Sequence, residues 1–114
     1  MANAVVMIGY GPPEVLKWAE APLREPGQGQ VRIKVKAAGI SPTDLALRAG
    51  YLREAIPLPP DTVLGFEAAG TVDALGPGVT GTSIGDAVTA LLFSLGGYAE
   101  IGRASCRERV FALV

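Results

Sequence analysis

A carboxylate between two glycines is the first feature of the sequence that could do chemistry. Residues 64–70 read LGFEAAG, so Glu67 follows Phe66 in an apolar run between Gly65 and Gly70. A glycine inside a strand marks a bulge or the close approach of another backbone segment. An ionisable group in an apolar run must find a partner or change its pKa. We therefore expect Glu67 to take part in binding or acid–base chemistry.

A second polar segment, SPTD, precedes an amphipathic stretch. Ser41 before Pro42 is typical of a helix start, because serine caps the first turn and proline suits the first helical position. Asp44 then falls in the first turn, where the helix dipole favours a negative charge. The sequence predicts a short helix over residues 41–48, with Gly50 at its exit.

The composition excludes several kinds of site. The 114 residues include one cysteine and no histidine, so a zinc site built from this chain alone lacks its usual ligands. A single thiol cannot form an intrachain disulfide, which fits a reducing compartment, and we expect the cytoplasm. The net charge is −1 without a basic block, so neither nucleic acid nor a membrane is expected as a partner. No apolar run reaches the roughly 20 residues of a membrane helix.

Strands joined by turns must position these groups. The 15 glycines and nine prolines predict many turns and a mainly β fold. Residues 30–38 alternate cleanly between apolar and basic side chains, which predicts a half-buried strand with a solvated basic face. Further strands are predicted at residues 4–8, 15–20, 62–76 and 86–93, with a bulge near Gly65 and Gly70. The sum is a partly open β-barrel with one or two short helices. No strand leads into the GxGxxG turn of a dinucleotide-binding fold.

The last residues of the chain differ in composition from the rest. Residues 101–110 read IGRASCRERV, with three arginines in seven residues and the single cysteine, Cys106. This string resembles one translated reading frame of a common DNA-sequencing adapter. We therefore expect a domain over residues 1–100 and an artefactual tail over residues 101–114, in which Cys106 is not a nucleophile. A real polar C-terminal turn is the alternative.

Five segments occur in an order that resembles a known family. They are GYGPPEVLKW, AAGISPTDL, LGFEAAG, GDAV and GGYAE. Over nearly all of residues 1–100 they resemble the N-terminal domain of the medium-chain dehydrogenase/reductase family, in particular its zinc-independent quinone oxidoreductase branch. The resemblance implies a GroES-like barrel that, in the family, packs against a Rossmann domain with NADP(H) in the cleft between them. It also implies a homodimer for the whole protein and little activity for this chain alone.

The resemblance implies a reaction without metal. Zinc-dependent members carry a cysteine where this chain has Ser41 and a histidine where it has Phe66. A phenyl ring has no lone pair for a metal, and a serine hydroxyl is a weak zinc ligand. The implied reaction passes hydride from NADPH to a quinone or an α,β-unsaturated carbonyl.

Six residues are candidate site residues under this resemblance. Thr43 matches a hydroxyl that relays protons in the zinc alcohol dehydrogenases, and Tyr51 matches a cleft tyrosine of the quinone reductases, so these two are the catalytic candidates. The candidates beside the cofactor are Ser41, Pro42, Asp44 and Glu67. Quinone reductases usually have asparagine in place of Ser41, which leaves the donor to cofactor or substrate open.

Each candidate also has a structural alternative. Ser41 is equally an N-cap, and Thr43 and Asp44 are ordinary residues of a first helical turn. A loop tyrosine such as Tyr51 often packs its ring and exposes its hydroxyl, and Glu67 without a metal holds a backbone or hydroxyl partner. For the whole protein, the alternatives are an enoyl reductase domain of an acyl-chain synthase and a free-standing GroES-like co-chaperonin or binding module.

Overall fold

Strands dominate the computed structural model, which describes residues 2–92, 94–105 and 110–112. The strands are β1 (Ala2–Met7), β2 (Leu16–Ala21), β3 (Gln30–Ala38), β4 (Glu67–Leu75), β5 (Ala87–Leu91), β6 (Ile101–Ser105) and β7 (Val110–Ala112). One α-helix, α1, covers Pro42–Ala49, and a short 3-10 helix covers Pro13–Val15. The mainly β fold class is confirmed. Within the described ranges, no helix has both the length and the apolar character needed to cross a membrane.

The strands form two antiparallel sheets. β1 and β2 pair with each other, and the other five strands have the order β6-β3-β4-β5-β7. An isolated bridge joins Ala4 to Ala99, and another joins Met7 to Thr62. These bridges attach β1 to the segments that enter β4 and β6, and so connect the small sheet to the large one.

Two apolar clusters hold the sheets and the helix together. The first lies on one face of the large sheet, where the side chains of Val31, Ile33, Val72 and Val88 are fully buried. The second contains Met7, Leu47 and Leu64. Since full burial of such a side chain stabilises a fold by about 1.5–3 kcal/mol, Leu47 fixes α1 against the segment that leads into β4.

The segment before β4 differs from the sequence prediction. A strand was expected from residue 62, but β4 begins at Glu67. Gly65 has a φ of 109°, which a strand residue does not adopt. Its carbonyl accepts the N–H of Gly97 at 3.1 Å, and the carbonyl of Leu64 accepts that of Tyr98 at 2.9 Å. Residues 62–66 are therefore an irregular connection held by a distant part of the chain.

The predicted bulge is also displaced. The extra residues of the β3–β4 ladder are Lys36 on β3 and Asp73 on β4. Gly70 has the other role expected of a strand glycine, because a Cβ there would collide with the carbonyl oxygen of Lys34. Lys36 is exposed, as the alternation predicts, but the Arg32 side chain is only 14% exposed and pairs with Asp73 at 2.8 Å.

The chain remains part of the sheet after the expected domain end. β6 pairs with β3 along residues 101–105, and the bond from Val35 N–H to the carbonyl of Glu100, 2.8 Å, sets its register. Any segment that leaves Glu100 in this direction and alternates small or apolar side chains can pair there. The adapter origin of residues 101–114 stays a prediction, and Phe93 and Cys106 lie outside the described residues.

Candidate functional site

The start of α1 is built as the sequence predicts. Ser41 is the N-cap and Gly50 the C-cap, with a left-handed φ of 93°. The Ser41 side chain accepts the N–H of Asp44 at 3.3 Å, and Oδ2 of Asp44 accepts the N–H of Ser41 at 3.0 Å. This reciprocal capping box satisfies two backbone donors that the first turn would otherwise leave without a partner.

Asp44 also connects the helix to the glycine-rich segment. The N–H of Gly65 donates to Oδ1 of Asp44 at 3.1 Å, and the Ser41 hydroxyl donates to Oδ2 at 3.0 Å. Asp44 is only 2% exposed, and a buried carboxylate requires such donors to offset its lost hydration. Ser41 and Phe66, which is adjacent to Gly65, therefore belong to one neighbourhood.

A tyrosine completes this neighbourhood from a third segment. The hydroxyl oxygen of Tyr98 is buried and has no hydrogen-bond partner among the described residues. Burial raises the pKa of this phenol, and the nearby Asp44 carboxylate raises it further, because it attracts the hydroxyl proton of the neutral phenol and repels the phenolate. Tyr98 belongs to the GGYAE segment but is not among the candidate residues that the sequence predicts. Its only local signal was an aromatic residue after two glycines.

The catalytic candidates lie on the surface. Thr43 is exposed on the first turn of α1, and within the described ranges its hydroxyl has no hydrogen-bond partner. Tyr51 is 84% exposed and follows the C-cap, where its N–H bonds to the carbonyl of Ala46. The eight residues of α1, at a rise of 1.5 Å each, separate Ser41 before its start from Tyr51 after its C-cap by about 12 Å along the helix axis. The structure thus brings Thr43, but not the backbone of Tyr51, next to Ser41.

Glu67 is placed differently from the expectation. It is exposed at the first position of β4, so water solvates its carboxylate and no partner is required. Its carboxylate lies over Gly39, since a Cβ on that glycine would come within 3.1 Å of Oε2. It borders a groove of about 490 Å³ that small residues of β3, β4 and β5 line. The buried acid of this region is Asp44, and the expected partner of Glu67 is absent from the described residues.

The exposed side of the site combines hydrogen-bonding groups with apolar surface. Pro42 and Ile40 are exposed beside Ser41, with Ile40 74% exposed, while Phe66 packs against the cluster of Met7, Leu47 and Leu64. The groups open to a ligand are thus hydroxyls, apolar surface and the Glu67 carboxylate. In the part of the chain that the structure describes, no three His, Cys, Asp or Glu side chains come together as a metal site.

Comparisons with known proteins agree with this architecture. Residues 27–110 match the family described as the Alcohol dehydrogenase GroES-like domain. The chain is 38% identical over 100 residues to a 2-haloacrylate reductase from a Burkholderia species, which covers 88% of this chain and 30% of that protein. It is 39% identical over 101 residues to a quinone oxidoreductase from Pseudomonas aeruginosa, with 89% and 30% covered.

A solved structure shows the same similarity. The crystal structure of Escherichia coli quinone oxidoreductase complexed with NADPH superposes with a TM-score of 0.88 at 30% identity, over 99% of this chain and 33% of that one. The chain therefore spans about a third of the length of the relatives that it matches.

Proposed function

We propose that this chain, which belongs to the alcohol dehydrogenase GroES-like domain family within the medium-chain dehydrogenases/reductases, is part of an NADPH-dependent reductase. Its substrate would be a quinone or an α,β-unsaturated carbonyl. The observation that supports the proposal best is the joined wall in which buried Asp44 holds Ser41 on one side and the Gly65–Phe66 turn on the other. The relatives named as reductases point to the same chemistry.

The groups on this wall fit one end of a dinucleotide cofactor. The Ser41 and Thr43 hydroxyls suit an uncharged ring and its ribose, and no lysine or arginine stands among the candidate residues to hold a pyrophosphate. The cofactor supplies the hydride when it is bound. The phosphates would be held by the part of the protein that the matched relatives have and this chain lacks, for which we propose a Rossmann domain.

The chain's own residues would position the substrate and donate a hydrogen bond to it. Thr43 has a free hydroxyl at the surface, so it can donate to a carbonyl oxygen as negative charge develops there. The aromatic ring of Phe66 would provide a rigid apolar surface that excludes water and orients a flat acceptor. We propose that Tyr51 contacts the ligand farther away, at the other end of α1, and that Glu67 borders the groove.

The donor set does not fit zinc. The proton of the Ser41 hydroxyl is directed to Asp44, and Phe66 offers only a ring packed among apolar residues. Neither supplies the sulfur or imidazole ligands that zinc prefers. We propose that the reaction proceeds without zinc.

The remaining features of the whole protein follow from the same proposal. We propose a homodimer in the cytoplasm, in keeping with a single cysteine in the sequence. We also propose that the domain ends near Glu100 and that residues 101–114 are not part of the natural protein. Sequencing the genomic DNA after the Glu100 codon tests this boundary.

A domain exchange tests the reductase activity. Residues 1–100 would replace the matching segment of the Pseudomonas aeruginosa quinone oxidoreductase, and NADPH oxidation would be followed at 340 nm with a quinone. We expect turnover that survives dialysis against a chelator. Thr43→Val should reduce kcat by roughly 10²-fold or more, while Thr80→Val, an exposed threonine on a distant turn, should not. A hybrid that binds NADPH but reduces no quinone or enone would overturn the proposal.

A further inference from the structure

The hydroxyl of Ser41 has a fixed polarity. A serine hydroxyl has one proton to donate and two lone pairs to accept with. The proton goes to Oδ2 of Asp44 at 3.0 Å, and one lone pair accepts the N–H of Asp44 at 3.3 Å. What remains for a ligand is one lone pair on the Ser41 oxygen.

The burial of Asp44 maintains this polarity. The carboxylate is 2% exposed and receives its hydrogen bonds from Ser41 N–H, Ser41 Oγ–H and Gly65 N–H. If the Ser41 hydroxyl turned toward a ligand, the buried charge would lose one of these donors, and water could not easily replace it. A hydroxyl that donates to a carboxylate is also a stronger acceptor, because hydrogen bonds in a chain polarise one another.

The neighbouring hydroxyl is in the opposite situation. Thr43 lies two residues away on the exposed side of the same turn, and its hydroxyl has no partner within the described ranges. It can donate or accept as a ligand requires. The two hydroxyls of this turn can therefore recognise different groups. Ser41 donates its proton to buried Asp44 and can only accept from a ligand, whereas Thr43 can donate or accept.

We propose that Ser41 is a specificity-determining acceptor, which selects an N–H or O–H group of the bound ligand and leaves donation to a carbonyl oxygen to Thr43. The inference rests on the proposed function, from which the ligand's donors follow. These are the carboxamide N–H of a nicotinamide and the hydroxyls of its ribose. A carbonyl or quinol oxygen that needs a donor does not gain one from Ser41.

The first test needs no ligand and uses the 114-residue chain. Hydroxyl-proton exchange with water is measured by NMR at low temperature for Ser41 and Thr43. The Ser41 proton should exchange at least tenfold more slowly, and Asp44→Asn, which replaces the charged acceptor by an amide, should reduce this difference. Equal exchange rates for the two hydroxyls would contradict the assigned polarity.

The second test compares ligands that differ in a single donor. NADPH, its 3-acetylpyridine analogue, which lacks the carboxamide N–H, and an analogue without the nicotinamide-ribose hydroxyls are titrated into the domain-exchange hybrid described above and followed by amide shifts. We expect the analogue that lacks the selected donor to bind about tenfold more weakly than NADPH. The arm that shows this loss identifies the donor.

Variants at Ser41 and at a control threonine test the assignment. Ser41→Gly removes the hydroxyl but is tolerated at an N-cap, and it should bring the affinity ratio close to one. Ser41→Thr should restore the ratio, and Thr80→Val, at an exposed threonine in the β4–β5 connection, should leave it unchanged. Equal affinities in the wild type, or a ratio that survives Ser41→Gly, overturn the inference alone. No NADPH-dependent shift near Ser41 and Phe66 contradicts the proposed function and, with it, this inference.

Discussion

Removing the buried carboxylate of Asp44 should destabilise the fold by an amount that its contacts allow us to estimate. In Asp44→Ala the N–H of buried Gly65 loses its acceptor, and an unsatisfied buried donor costs about 1–3 kcal/mol. Loss of the capping box at Ser41 adds about 1 kcal/mol. Part of this is offset, because the variant no longer buries a charge. These costs sum to about 2–4 kcal/mol, so with the offset we expect a net loss of about 1–3 kcal/mol in the free energy of unfolding.

Urea unfolding of the 114-residue chain measures this loss, and the chain contains a matched control. Asp86 accepts the N–H of Ser83 at 2.9 Å with the same three-residue spacing, but at an exposed site. Asp86→Ala should therefore cost less than about 1 kcal/mol. Asp44→Asn keeps one acceptor and should fall between the two alanine variants. If Asp44→Ala costs no more than Asp86→Ala, the carboxylate does not join α1 to Gly65 and the reasoning fails.

Three further predictions concern other parts of the site. Gly65→Ala should reduce the free energy of unfolding by about 3 kcal/mol or more, because its Cβ would lie 2.8 Å from Gly97 Cα at a φ of 109°. Gly81→Ala, with a φ of 80° but no close neighbour, should reduce it by about 1 kcal/mol in the same urea assay. The pKa of Tyr98 is raised in the fold, so just above pH 10 only the unfolded chain ionises this phenol. The free energy of unfolding should therefore fall there by up to about 1.4 kcal/mol per pH unit. The fall should be less steep in Tyr98→Phe, whereas Tyr51→Phe, the control with an exposed ring, should keep the slope of the wild type. Metal analysis after dialysis against zinc should find no stoichiometric zinc, and one bound ion per chain would contradict the metal-free proposal.

The parts of the fold that the sequence predicted well have local causes. β3 occupies residues 30–38 as expected, because the alternation of apolar and basic side chains over residues 31–36 indicates a strand and its buried face. Helix α1 starts one residue after the predicted N-cap, since Ser41, Pro42 and Gly50 act through their own backbone conformations. Signals of this kind are complete within a few residues, so tertiary contacts did not need to be known.

The parts that the sequence did not predict depend on distant partners. Residues 62–66 have the composition of a strand, but their carbonyls bond to Gly97 and Tyr98 about thirty residues later. The two acids show the same limit. Glu67 follows apolar residues yet points to solvent, because the pleat puts Ala68 inside. Asp44 looks like an ordinary first-turn acid yet is buried, because Gly65 and Tyr98 cover it.

One carboxylate therefore serves both the local cap and the long-range contact, and this has a consequence for substitution at the site. A change at Asp44 alters the start of the helix, the position of Phe66 and the polarity of Ser41 together, so its effect on stability and on ligand binding cannot be separated. A change at Ser41 that keeps an N-cap residue alters the lone pair offered to a ligand and removes at most one of the three donors to Asp44. Variation in what the cleft recognises should thus be easier to obtain at Ser41 than at Asp44, although both belong to the same hydrogen-bonded group.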